Sequence, residues 1–197
     1  MTWAEFWGFV TGAASVLLAV RESAWNWPVG IANNILFLIL FWRARLYGDA
    51  LLQIVYIVIS VFGWWNWLRG GVGHSELRIS KATASTAIIL SVATVAITAL
   101  LVGILRRFTD SVVPFWDGVT TALSLTAQYM LSRKLLENWW GWMMADVVYI
   151  ALYCYKSLYL TGALYLLFFA LCIRGYAGWK KSLATRSLNR PLEDSVP

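Results

Sequence analysis

Apolar residues run along this chain in long stretches, broken by short clusters of Arg, Lys, Glu, Asn and Gly. A helix crossing the hydrocarbon of a bilayer needs about 20 predominantly apolar residues, because each adds only about 1.5 Å of rise. Seven stretches meet that requirement: residues 3–20, 26–43, 47–68, 83–105, 113–132, 138–155 and 157–177. The pattern predicts an all-α integral membrane protein with seven transmembrane helices. The first stretch has no basic start, and no small-residue cleavage site precedes "RESAWNW". It therefore reads as a spanning helix and not as a removable leader.

The stretches repeat. Sliding the chain by 112 positions lays helices 1–3 on helices 5–7 without a gap. Arg21 meets Arg133, Asn26–Trp27 meets Asn138–Trp139, and Leu46–Tyr47 meets Leu158–Tyr159. Gly63 meets Gly175, and Trp67 meets Trp179. Coincidences of Leu or Val are common in apolar sequence; matched Trp, Tyr, Gly and Arg across three helices are not. A three-helix unit ends on the opposite side of the membrane, and the single helix near 83–105 brings the chain back. The second unit then lies parallel to the first, the 3+1+3 plan of small transporters with a midplane site between repeats. The expected divisions are 1–70 for the first repeat, 71–110 for the linker with helix 4, 111–182 for the second repeat, and 183–197 for a polar, disordered tail.

Composition narrows the class. Hydrophobic residues make up 60% of the chain and charged residues 13%, against about 45–50% and about 25% in soluble domains. With the N-terminus outside, the cytoplasmic side receives Arg21, Arg69, Arg78, Lys81, Arg133, Lys134, Arg174, Lys180, Lys181, Arg186 and Arg190. The outer side receives Arg43, Arg45, Arg106, Arg107 and Lys156, and the imbalance favours an N-out, C-in orientation. The net charge of +6 is dispersed between apolar stretches, which suits membrane flanks and not nucleic acid. Cys154 and Cys172 lie inside apolar stretches and read as small buried hydrophobes, and His74, in "RGGVGHSE", reads as a solvated loop residue. Walker A, GxSxG, HExxH and Rossmann patterns are absent, so no cofactor, metal or conventional enzyme activity is expected.

One residue stands against the pattern. Asp146 lies near the middle of "ENWWGWMMADVVYIALYCY", where a charge costs about 2.5–3.5 kcal/mol on insertion scales. The repeat register sets Asn34 of helix 2 opposite it. Helical spacing groups Trp139, Trp142, Asp146, Tyr149 and Tyr153 in one stripe, and Trp27, Gly30, Asn34, Phe37 and Phe41 in its counterpart. Facing stripes enclose an aromatic cavity, with Gly30 leaving space where the other repeat has Trp142. Such a cavity suits a flat, cationic aromatic ligand, which ring faces attract and a carboxylate orients. Gln53 and Tyr56 in helix 3, and Gln128 in helix 5, are further polar candidates. The plainer reading stands beside each: Asn33, Gln53 and Gln128 hydrogen-bonding neighbouring helices, Asp146 held in a structural contact, and Trp3, Trp7, Trp42, Trp67 and Trp179 in an interfacial belt. For Trp27 and Trp139 both readings stay open.

The runs "ESAWNWPVGIANNILFLILFWRARLYGDALLQIVY", "GWWNWL", "AQYMLSRKLLENWWGWMMADVVYIALYCYKSLYLTGALY" and "GWKK" resemble the PnuC family of bacterial vitamin transporters over about residues 3–183. The family's W-x-x-W motif matches Trp139 and Trp142, with Asp146 following. The resemblance implies a full-length SWEET-like fold, often a homotrimer, in the bacterial plasma membrane. It also implies facilitated diffusion of nicotinamide riboside, trapped by intracellular phosphorylation. Relatives that carry thiamine, riboflavin or deoxynucleosides leave the substrate open, and Asn138, Trp140 and Gly141 depart from common family residues beside the motif. A receptor or assembly subunit with the same cavity and no flux is the alternative of another class.

Overall fold

The computed structural model describes residues 3–109, 112–155, 157 and 159–189; Lys156, Leu158 and 190–197 of the expected tail lie outside them. Seven helices follow in order: α1 Trp3–Val20, α2 Asn26–Arg43, α3 Tyr47–Arg69, α4 Ala84–Phe108, α5 Pro114–Ser132, α6 Asn138–Tyr155 and α7 Tyr159–Asn189. By length and hydropathy alone, α3, α4 and the Thr161–Thr185 part of α7 suffice to cross a membrane. The other four hold 18 or 19 residues, or about 27 Å of rise; α1 is strongly apolar, whereas α2, α5 and α6 bury polar side chains, Asn26, Thr120, Ser124, Asn138 and Asp146 among them. The last helix runs past residue 177 and on to Asn189. Between Gly178 and Pro191 the sequence offers no Gly or Pro to stop it, so residues 183–189 extend α7 instead of starting a disordered tail.

The breaks between helices carry the repeat as well. Glu22 and Lys134 adopt left-handed φ values of 56° and 55°, and Arg45 and Ser157 values of 60° and 57°. Each pair is 112 positions apart. Non-glycine residues rarely take this conformation, and here the same turn ends the same helix twice. Two other ends have local causes: Pro114 opens α5, where a missing N–H costs nothing, and Thr83 Oγ1 accepts the Thr86 N–H at 3.2 Å to cap α4.

Within each repeat the middle helix packs on both neighbours, α2 on α1 and α3, α6 on α5 and α7. The repeats meet along two seams related by the same register, α3 against α5 and α7 against α1, while α4 packs on α5. This is the 3+1+3 arrangement.

Four tryptophans fill the end of the bundle where the seams converge. Trp27, Trp67, Trp139 and Trp179 are 2% exposed or less. Trp27 meets Trp67 edge-on at 5.5 Å between centroids, Trp139 meets Trp179 at 5.4 Å, and Trp67 meets Trp179 at 5.8 Å on the pseudo-axis. The Trp67 indole N–H donates to the Leu131 carbonyl at 2.9 Å, and that of Trp179 to the Ala19 carbonyl at 3.0 Å. Both donors reach into the opposite repeat, and both pairs obey the register. Trp67 and Trp179, read from the sequence as interfacial, are therefore the core; Trp7 and Trp42 are exposed, and the side chain of Trp3 lies outside those described.

The glycines explain the fit. A Cβ on Gly63 would collide with the six-membered ring of Trp27, and one on Gly175 with that of Trp139. Each indole lies directly on glycine backbone, four residues before the tryptophan it contacts. Gly63→Val or Gly175→Val should cost about 1–3 kcal/mol by overpacking. The readout is a lower midpoint of thermal unfolding with a shift in tryptophan emission. Gly103→Val, with no atom within 4 Å of its Cβ position, should change neither.

Candidate functional site

Beyond the tryptophans the two repeats draw apart and enclose a cavity of about 340 Å³, a size at which small-molecule sites are found. Helix α2 brings Trp27, Gly30, Asn34 and Phe37 to it, and α6 brings Trp139, Trp142, Asp146 and Tyr149. Helix α3 adds Gln53, Tyr56 and Ser60, α5 adds Ser124 and Gln128, and α7 adds Tyr165, Phe168 and Cys172. Of the thirteen residues that the sequence assigns to the cavity, eleven line this one chamber. Tyr153 and Phe41, at the outer ends of the two stripes, do not. They stack behind it, Tyr153 on Tyr165 at 5.3 Å and Phe41 on Phe37 at 5.7 Å.

The register arranges the walls. Asn34 faces the role of Asp146, Gly30 that of Trp142, Phe37 that of Tyr149, Gln53 that of Tyr165, Tyr56 that of Phe168, and Ser60 that of Cys172. Tyr165, Phe168, Ser60 and Cys172 were not singled out beforehand. The repeat pairing would have found them, since each is the partner of a residue that was chosen or of another cavity residue. Ser124 pairs in the same way with Gly12, which also lines the cavity, but a serine in an apolar run is too common to stand out by itself.

Polar groups divide into committed and free. Asn33 donates its amide to the Gly8 carbonyl at 2.6 Å and to Thr11 Oγ1 at 2.8 Å, tying α2 to α1. Gln128 donates to Ser60 Oγ at 3.2 Å across the α3–α5 seam. Those two follow the plainer reading. Asn34 and Gln53 make no hydrogen bond among the described residues, so their amides remain available. The indole N–H groups of Trp27 and Trp139 and the amide nitrogen of Asn26 are buried without a partner. All three belong to residues on the cavity wall.

Asp146 is 5% exposed, and its Oδ2 accepts a weak hydrogen bond from the Cys172 thiol at 3.7 Å. No Lys, Arg or His lines the chamber, and Asp146 has no ion pair among the described residues. Its burial is thus offset by the cavity and not by an internal cation. Cys154, expected to be buried, is exposed on the outside of α6, whereas Cys172 is buried as expected. His74 is exposed in its loop, as its sequence context implies.

Comparison with known proteins decides the family. Residues 2–181 match the family model described as "Nicotinamide mononucleotide transporter". The chain belongs to that transporter family. Its relatives include the nicotinamide riboside transporter PnuC of Escherichia coli, 26% identical over 94% of this chain and 88% of the relative. The riboflavin/roseoflavin transporter RibM of Streptomyces davaonensis is also 26% identical, over 99% of this chain and 92% of its own length. The crystal structure of the vitamin B3 transporter PnuC superposes with a TM-score of 0.70, covering 91% of this chain and 81% of that one at 23% identity. The protein is accordingly a multi-pass membrane transporter and not an enzyme.

The split between committed and free amides is testable. Asn33→Leu should lower stability by about 1 kcal/mol, the scale of a lost interhelical hydrogen bond. Asn34→Leu, one residue on, should leave the unfolding midpoint unchanged, as followed by thermal denaturation in detergent.

Proposed function

We propose that the chain is a uniporter that carries nicotinamide riboside into the cytoplasm, where phosphorylation traps it. One observation carries the reading: a buried carboxylate without a cation, set in a ring-lined chamber that holds no positive side chain. Nicotinamide riboside supplies the missing charge on a flat pyridinium ring. Trp142, half-buried on the wall, offers a ring face for about 0.5–2 kcal/mol of cation–π attraction. Asp146 and Asn34 take the carboxamide, the ribose or the charge, with Gln53 and Tyr149 as further polar contacts. Trp139 and Trp27 have ring faces covered by Gly175 and Gly63, and serve the ligand through their free N–H edges. Gln128 and Tyr56 complete the wall.

The family model's name points to a mononucleotide, but a phosphate dianion would face Asp146 with no Lys or Arg to pair it. That charge balance favours the riboside, and it also keeps the phosphorylated product from leaving by the same route. A single core carboxylate gives no second site for a coupled ion, which supports facilitated diffusion. The N-out, C-in orientation is taken from the Lys and Arg distribution, and homotrimeric assembly from the family resemblance. The relative RibM supports a second reading, a neutral flavin as substrate; thiamine, another cationic aromatic, is the third arm of the test.

Titration of the purified protein against riboside, mononucleotide, thiamine and riboflavin separates these. The riboside should bind at least about tenfold more tightly than the mononucleotide, a difference of about 1.4 kcal/mol. Asp146→Asn should weaken riboside binding by a similar factor, and Trp142→Ala by more than Trp142→Phe. Equal affinity for riboside and mononucleotide, or an Asp146→Asn variant that binds riboside normally, refutes the assignment. Binding without flux in proteoliposomes identifies a receptor or subunit instead.

A further inference from the structure

The two seams between the repeats are equivalent by register but not in strength. Both carry the reciprocal tryptophan bond, Trp67 to Leu131 in one and Trp179 to Ala19 in the other. The α3–α5 seam adds side-chain bonds that the α1–α7 seam cannot make. Asn66 donates its amide to the Ser132 carbonyl at 2.8 Å, fully buried. The residue in its place on α7 is Gly178, which has no side chain, and the carbonyl that would accept is that of Val20. Gln128 reaches Ser60 at 3.2 Å, whereas its counterpart on α1 is Val16.

The chain segment between α3 and α4 reinforces the same side. Leu77 N–H donates to the Trp67 carbonyl at 3.0 Å, and its own carbonyl accepts from Lys134 Nζ at 3.0 Å. Lys134 Nζ also sits 4.5 Å above the Trp67 ring. Ser80 pairs with the α5–α6 turn through Ser80 N–H to the Lys134 carbonyl at 3.2 Å and Leu136 N–H to the Ser80 carbonyl at 2.9 Å. Glu137 Oε2 accepts the Ala82 N–H at 2.9 Å. Leu77 and Ile79 of this segment pack into the tryptophan core, while its hydrogen bonds to the helices go to the end of α3 and the α5–α6 turn.

We propose that the tryptophan-filled end opens on one side: the α1–α7 seam parts, with Trp179 leaving the Ala19 carbonyl, while the α3–α5 seam stays closed and acts as the hinge. Parting there breaks one tryptophan bond and slides Trp179, together with Trp139 of its own repeat, off Trp67. Parting at α3–α5 would also strip the buried Asn66 amide, the Gln128–Ser60 bond and the linker pairing. The inference rests on the transport reading but not on the identity of the ligand.

The test uses two spin-label pairs at register-equivalent, exposed positions: Arg21→Cys with Lys181→Cys across α1–α7, and Arg133→Cys with Arg69→Cys across α3–α5. Each is made in a Cys154→Ser background, with Cys172 left buried. Pulsed electron paramagnetic resonance in nanodiscs, without ligand and with nicotinamide riboside, should show a longer-distance population for the 21–181 pair and one narrow distribution for the 69–133 pair. A second variant, Gly178→Asn, supplies the missing donor; a Cβ there has only the Val20 carbonyl oxygen near it, at 4.0 Å. It should slow flux by about tenfold while leaving affinity within about twofold. Equal lengthening of both pairs, movement across 69–133 alone, or no movement in protein that transports would overturn the proposal, as would undiminished flux in Gly178→Asn. Absence of flux in the wild type refutes the transport reading by itself, whatever the distances show.

Discussion

Two indole N–H groups, each donating across the pseudo-axis to a backbone carbonyl of the other repeat, hold the bundle in its present form. Ala19 and Leu131 lie in the last turns of α1 and α5, where their carbonyls accept the Glu22 and Lys134 N–H groups at 3.0 and 2.9 Å and keep a second lone pair for a donor from outside the helix. Trp179 and Trp67 use that second lone pair while packing at the axis. The arrangement requires that the neighbouring indoles, Trp27 and Trp139, lie flat on Gly63 and Gly175. Once these four rings are in place, helices α2 and α6 are fixed at one end, and the cavity beyond them follows from what those helices carry inward.

The carboxylate is tolerable for the same reason. A bilayer cannot solvate Asp146, and the bundle gives it no cation, yet the chamber in front of it is wide enough for a ligand or water. The surrounding wall is made of partners that differ in size or polarity from their register mates. Symmetry builds the frame, and departures from symmetry place the chemistry.

Much of this was legible in the sequence, because the helices are long apolar runs and the duplication is gapless. Bounds for α1, α2 and α6 coincide with the runs, and the stripes of α2 and α6 bring the expected residues together. What escaped has identifiable causes. Trp67 and Trp179 sit near helix ends, where tryptophan ordinarily marks an interface, and only tertiary contact shows that these ends are buried. The turns at Glu22 and Lys134 carry no glycine to announce their left-handed backbone. Polar residues in adjacent positions, such as Asn33 and Asn34, cannot be sorted into structural and available without knowing where α1 lies. The C-terminal helix outran its apolar stretch because helix formation continues through charged residues once it has left the hydrocarbon.

An asymmetric guest in a perfectly doubled chamber would have two equivalent poses, related by half a turn about the axis, and only half its encounters would be oriented alike. Here amide opposes carboxylate and glycine opposes indole. On the transport reading, a molecule with one charged, planar end and one hydroxylated end has a single matching pose, its charged end always turned toward the same repeat.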